Sequence, residues 1–90
     1  TFFDEEGYVF LRPSQIEIDI IIKDSKKIAV EIKSSISESD VSAFERKVKL
    51  YEKKFKTKID KKIILTPFAN DKAIDIAKSF DIEIVEELRE

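Results

Sequence analysis

Three residues of this chain have the types and the spacing to hold a divalent cation: Asp19, Glu31 and Lys33. Asp19 sits in Ile18-Asp19-Ile20, and eleven residues separate it from Glu31 in Val30-Glu31-Ile32-Lys33-Ser34. Two carboxylates brought close together repel, and a bound divalent cation removes that cost. Magnesium needs only one or two protein carboxylates beside its waters and substrate phosphate oxygens. The backbone carbonyl of Ile32, between Glu31 and Lys33, is a third candidate oxygen ligand. Lys33 would orient an attacking water or neutralise a pentavalent transition state. The chemistry such a set performs is metal-assisted hydrolysis of a phosphate ester.

Composition narrows the metal. The chain has no histidine and no cysteine, which removes the usual zinc and copper ligands and any thiol nucleophile. A hard cation held by oxygens is left, Mg2+ (or Mn2+) first, with calcium also admitted. Of the 90 residues, 42% are hydrophobic and 40% charged, against roughly 25% charged in an ordinary globular protein. Lys, Glu and Asp beside many Ile suit a hot-living source, where ion-pair networks gain value. No signal peptide and no apolar run of membrane-spanning length is visible, so the expectation is a soluble cytoplasmic domain with no membrane partner. Residues 1–90 read as a single domain. With no initiator Met, the expectation is that it is the C-terminal part of a longer protein.

The net charge of −2 hides segregation. Between Glu45 and Lys62 stand nine basic residues and only three acids. Lys47, Lys49, Lys53 and Lys54 are the candidates there for tracking a nucleic-acid backbone. The alternative is a solvated, lysine-rich helix face.

Local pattern supplies the elements that must position these groups. Phe2 and Phe3 with the acids before Gly7 read as the end of a helix. Tyr8 to Arg12 reads as a short strand. Ile16 to Lys23 and Ile28 to Lys33 read as a hairpin across a polar turn at Asp24 to Lys27. Ser37 with Asp40, or Ser39, starts a helix to about Lys56, its stripe Val41, Phe44, Val48, Tyr51 and Phe55 facing a sheet. Lys62 to Thr66 is a strand stopped by Pro67. Asn70 or Asp71 caps a second helix through Ser79, with Ala73, Ile74, Ala77 and Phe80 inward, and Ile82 to Val85 is the last strand. In the hairpin, Glu17 and Asp19 oppose the isoleucine face of their strand, while Ala29, Glu31 and Lys33 share a face. If the apolar faces coincide, the acids and Lys33 gather. That needs an odd number of loop residues or a bulge; an even loop puts Asp19 and Glu31 on opposite faces.

These residues resemble the D-x(n)-E-x-K signature of the PD-(D/E)XK nuclease superfamily, and Val30–Ser35 with Leu65-Thr66-Pro67-Phe68 is similar to archaeal members without an assigned function. The resemblance implies an α/β, restriction-endonuclease-like αβββαβ core, a mixed sheet with flanking helices whose first helix is truncated. It implies a Mg2+-dependent nuclease acting on DNA, with Asp19, Glu31 and Lys33 catalytic and Asp19, Glu31 and the Ile32 carbonyl on the metal. A homodimer is compatible with it. Two departures stand out. The first helix offers only Glu5 and Glu6 as a further acid. Where one branch carries Gln-x-x-x-Tyr, this chain has Lys47 and Tyr51. Glu45-Arg46-Lys47 and Glu52-Lys53-Lys54 also spell the triplet, but on a helix. The alternatives are a domain that kept the fold and lost turnover, serving as a nucleic-acid-binding or oligomerisation module, and a hairpin that merely carries surface ion pairs.

Overall fold

In the computed structural model, which describes residues 1–86, the isoleucine-rich segments form the expected hairpin, β3 (Asp19–Lys23) and β4 (Lys26–Ile32), but its first strand begins at Asp19 rather than Ile16, which belongs to a separate strand. The hairpin loop has two residues, Asp24 and Ser25, with φ of 53° and 65°. Both lie in the left-handed region, the arrangement whose twist matches that of the flanking strands.

The chain then enters α1 (Glu38–Phe55). Ser37 is its N-cap, and its backbone N–H donates to the Asp40 carboxylate at 2.9 Å, which satisfies one of the donors a helix start leaves unpaired. Lys56, left-handed at φ 51°, ends it. β5 (Lys61–Leu65), α2 (Asp71–Ser79) and β6 (Glu83–Val85) follow. Asn70 caps α2 by accepting the Ala73 N–H at 2.7 Å.

The strands line up β3-β4-β5-β6, antiparallel between the first two and parallel thereafter. This mixed sheet with two helices fits a restriction-endonuclease-like core. Ala29 and Ile64 of the sheet share one cluster with Val41, Phe44 and Val48 of α1 and Ala73 and Ala77 of α2. Both helices therefore cover the same sheet face. Ile76, rather than Ile74, is the α2 isoleucine packed on this core. Tyr51 is half-buried between this cluster and a second one, and Phe55, half exposed, meets Phe2 edge-on and Tyr51 at a tilt.

The N-terminal segment differs from expectation. Phe2–Asp4 is a strand, β1, not a helix end, and pairs antiparallel with β2 (Ser14–Ile16). Tyr8 to Arg12 is a loop rather than a strand. Once paired, β1 buries Phe2 and Asp4 and exposes Phe3. Phe2, Val9 and Ile16 make the second cluster, against Ala43, Leu50 and Tyr51. The loop is pinned at Val9, whose N–H donates to the buried Asp4 carboxylate at 2.8 Å and whose carbonyl accepts from Arg46 Nε at 2.9 Å. Gly7 allows the loop to close. Its φ is 69°, and a Cβ there would fall 2.7 Å from the Arg12 nitrogen.

Candidate active site

Alternation along β4 places Ala29 and Glu31 on one face and Ile28, Val30 and Ile32 on the other. Ala29 is wholly buried in the main core, so Glu31 also projects toward α1. Lys33 continues this face just past the strand, where its N–H still donates to the Leu65 carbonyl at 3.0 Å. Across the hairpin, Asp19 pairs with Val30 and Ile20 with Ala29. The two-residue loop thus sets an even register. Ile18 and Ile20 share the helix-side face with Ala29, and Asp19 leaves from the opposite face to Glu31. The apolar faces of the two strands do not coincide as the sequence pattern invited; isoleucines lie on both faces, so hydrophobicity left the parity open.

Asp19 is nevertheless the first residue of β3, and the ladder with β4 stops there. At this open end a shallow cleft of about 270 Å³ is lined by Glu17, Ile18, Asp19, Val30, Glu31, Ile32, Lys33 and Lys47. All three sequence candidates thus border one cleft, with two of them on one face.

Each charge on the helix side has a partner. Lys47 of α1 reaches down and places Nζ 2.9 Å from Glu31 Oε1, both side chains 14% exposed. Lys33 Nζ stands 3.4 Å from Asp40 Oδ1 at a more open position. Burial works to raise the Asp40 carboxyl, but the Ser37 backbone N–H, the Lys33 ammonium and the Ser37 hydroxyl together hold it below its ordinary value. Asp40 therefore both starts the helix and compensates Lys33. Asp19 is exposed and makes no side-chain hydrogen bond or ion pair among the described residues.

Sequence pattern marked Asp40 only as a capping residue, and Lys47 as a possible backbone contact that stands where one branch of the family carries Gln, not as a partner of Glu31. The signal for Lys47 was its place one turn before Tyr51, on the helix following the triplet. Phe10 was also missed. Its partly exposed ring lies 5.8 Å from Lys47 Nζ, brought there by the pinned loop.

The four lysines proposed for nucleic acid do not share one face. Lys47 is turned onto Glu31, and Lys49 is flanked by Glu45 and Glu52 at 3.8 and 3.9 Å. Lys53 and Lys54 border a cleft with Glu5 and Glu6. The larger cleft, about 570 Å³, lies at the other end of the strands and is lined by five lysines and four acids. Lys61–Glu83 at 3.4 Å and Lys62–Glu45 at 2.9 Å already compensate much of that charge. With Glu45 counted beside Lys62, its charges nearly balance.

The donors near Glu31 suit a hard cation, since every candidate is an oxygen. No group of three or more Asp, Glu, His or Cys comes together as a metal cage among the described residues. A cation here would keep most of its waters, as magnesium does. No helix among the described residues is long and apolar enough to cross a membrane.

Comparison with known families adds one finding. Residues 14–83 match the family model of the PD-(D/E)XK nuclease superfamily, a span that runs from β2 into β6 and contains the whole cleft. No curated protein and no solved structure matches the chain significantly.

Proposed function

Because the chain belongs to the PD-(D/E)XK nuclease superfamily, we propose that it hydrolyses phosphodiester bonds of DNA with a divalent cation, Mg2+ or Mn2+. The observation that carries this reading is the cleft at the open end of the hairpin, where Asp19, Glu31, Ile32 and Lys33 all form the lining. A cation bound there would polarise the phosphate and make water a better nucleophile. The residues contribute in distinct ways. Glu31 would supply a carboxylate oxygen and Ile32 its backbone carbonyl, while Asp19, on the other face of the hairpin, would reach the cation only from the rim of the cleft. Lys33 orients the attacking water and offsets the charge that develops on the phosphorus oxygens. Of the four lysines, Lys47 lines the cleft and would help hold the nucleic-acid backbone there, whereas Lys49, Lys53 and Lys54 lie outside its lining.

A second reading has its own observation. Glu31 is already neutralised by Lys47, and Asp19 emerges from the other face of the hairpin. A domain that binds nucleic acid without cutting it would show these features. A magnesium-dependent cleavage assay on plasmid and oligonucleotide DNA separates the two. Activity lost in Glu31→Ala and Asp19→Ala, and reduced at least a hundredfold in Lys33→Ala, supports hydrolysis at this site. Activity that survives all three substitutions refutes it. DNA binding without cleavage favours the second reading.

A further inference from the structure

We infer that Lys47 is the resident counter-ion of Glu31, surrendered when a divalent cation binds, and that its freed ammonium then takes a phosphate of the substrate. This rests on the metal reading of the cleft given above.

The pair is unlike the chain's exposed ion pairs. Both side chains are 14% exposed, and Nζ and Oε1 lie 2.9 Å apart. Lys47 is the only side chain that donates to Glu31 among the described residues. A carboxylate held this way in a partly dry site keeps the ammonium less well once it also binds a cation through the same oxygen. The two positive charges would repel strongly at that separation. A cation bound to Glu31 therefore weakens its hold on the ammonium, and the construction of α1 decides which group moves. Phe44 and Val48 are buried in the core, and Arg46 is tied to the Val9 carbonyl. The backbone beneath Lys47 is therefore fixed. Its four-carbon stem is the movable part, carrying a compact charge with rotatable donors.

The displaced ammonium stays in the same cleft, which Lys47 lines together with Lys33. The face of Phe10, 5.8 Å from Nζ, favours a cation at the rim. Lys33 is less available for this exchange, since it faces the Asp40 carboxylate that also serves the start of α1. Cation binding would thus release one positive charge into the path of the substrate. The binding of cation and phosphodiester is then coupled, and each must strengthen the other by the same factor.

The test uses the 90-residue chain and two titrations. Calorimetric titration with Mg2+ should show about tenfold tighter binding in Lys47→Gln than in the unmodified protein, within the usual range of coupling between sites. Lys47→Met, which keeps the stem, should behave alike, and Lys47→Arg should stay close to the unmodified protein. With a phosphorothioate oligonucleotide as an uncut probe, Mg2+ should raise affinity in the unmodified protein by a clearly larger factor than in Lys47→Gln, where only the cation's own contact with the phosphate remains. Circular dichroism checks that each variant is folded. Unchanged or weaker Mg2+ binding in both Lys47→Gln and Lys47→Met overturns the exchange while leaving the metal site standing. Mg2+ binding that is absent, or unaffected by Glu31→Gln, overturns the metal reading itself and the exchange with it.

Discussion

Asp19 lies directly opposite Val30 in the β3–β4 hairpin, so its side chain leaves the sheet on the face away from α1, one position out of phase with Glu31. Glu31 points beneath the helix, where Lys47 meets it at 2.9 Å. Two acids that border one cleft therefore have unequal structural roles. Glu31 is built into the packing between sheet and helix, while Asp19 is free to act at the rim.

This inequality predicts different costs for removing each charge. Glu31→Gln leaves the Lys47 ammonium without its carboxylate in a partly buried site, and should lower stability by about 1–2 kcal/mol. Asp19→Asn should change stability by less than about 0.5 kcal/mol, as exposed substitutions usually do. Urea denaturation of both variants checks this. Equal losses would contradict the register described here.

The hairpin turn supplies a second test. Ser25 holds φ at 65°, which a side chain tolerates poorly and glycine adopts freely. Ser25→Gly should raise stability by about 0.5 kcal/mol and lift the Tm by a few degrees. A lower Tm would mean that the turn is not of the type seen in the structure.

Lys62 ties three elements together. Its Nζ donates to Glu45 of α1 at 2.9 Å and to the Phe80 carbonyl at the end of α2 at 2.6 Å. Lys62→Ala would strand the buried Glu45 carboxylate, with Lys49 at 3.8 Å as its remaining cation. A loss of about 2–3 kcal/mol is expected, visible as a lower urea midpoint. The double variant Lys62→Met with Glu45→Leu should recover much of it, because no buried charge is then left unpaired.

The start of α1 should respond to acid. Asp40 is held below its ordinary carboxyl pKa in the folded state, so the carboxylate form is the one that folding favours. Its contribution is complete above the unfolded value, about pH 4, and is lost as pH falls through the lower folded value. Asp40→Asn should cost about 1 kcal/mol at pH 7. The gap between variant and unmodified protein should narrow as pH drops below about 4, followed by urea midpoints across that range.

The sequence by itself determined the elements whose signal is local and repeated. The stripe from Val41 to Tyr51 states a helix against a sheet, Ser37 and Asn70 announce where helices begin, and the isoleucine runs around a polar turn state a hairpin. The Glu31-Ile32-Lys33 triplet stood out for the same reason, since its apolar strand context can be read from neighbours alone. Three other features depended on tertiary structure. Phe2–Asp4 is too short for alternation to show, and only pairing with Ser14–Ile16 makes it a strand. The phase between Asp19 and Glu31 hung on loop length, and a turn without glycine gives no hint that it contains two residues. The contact between Glu31 and Lys47 joins positions sixteen residues apart. It exists because packing of Phe44 and Val48 against the sheet sets the rotation of α1 that turns Lys47 toward that carboxylate.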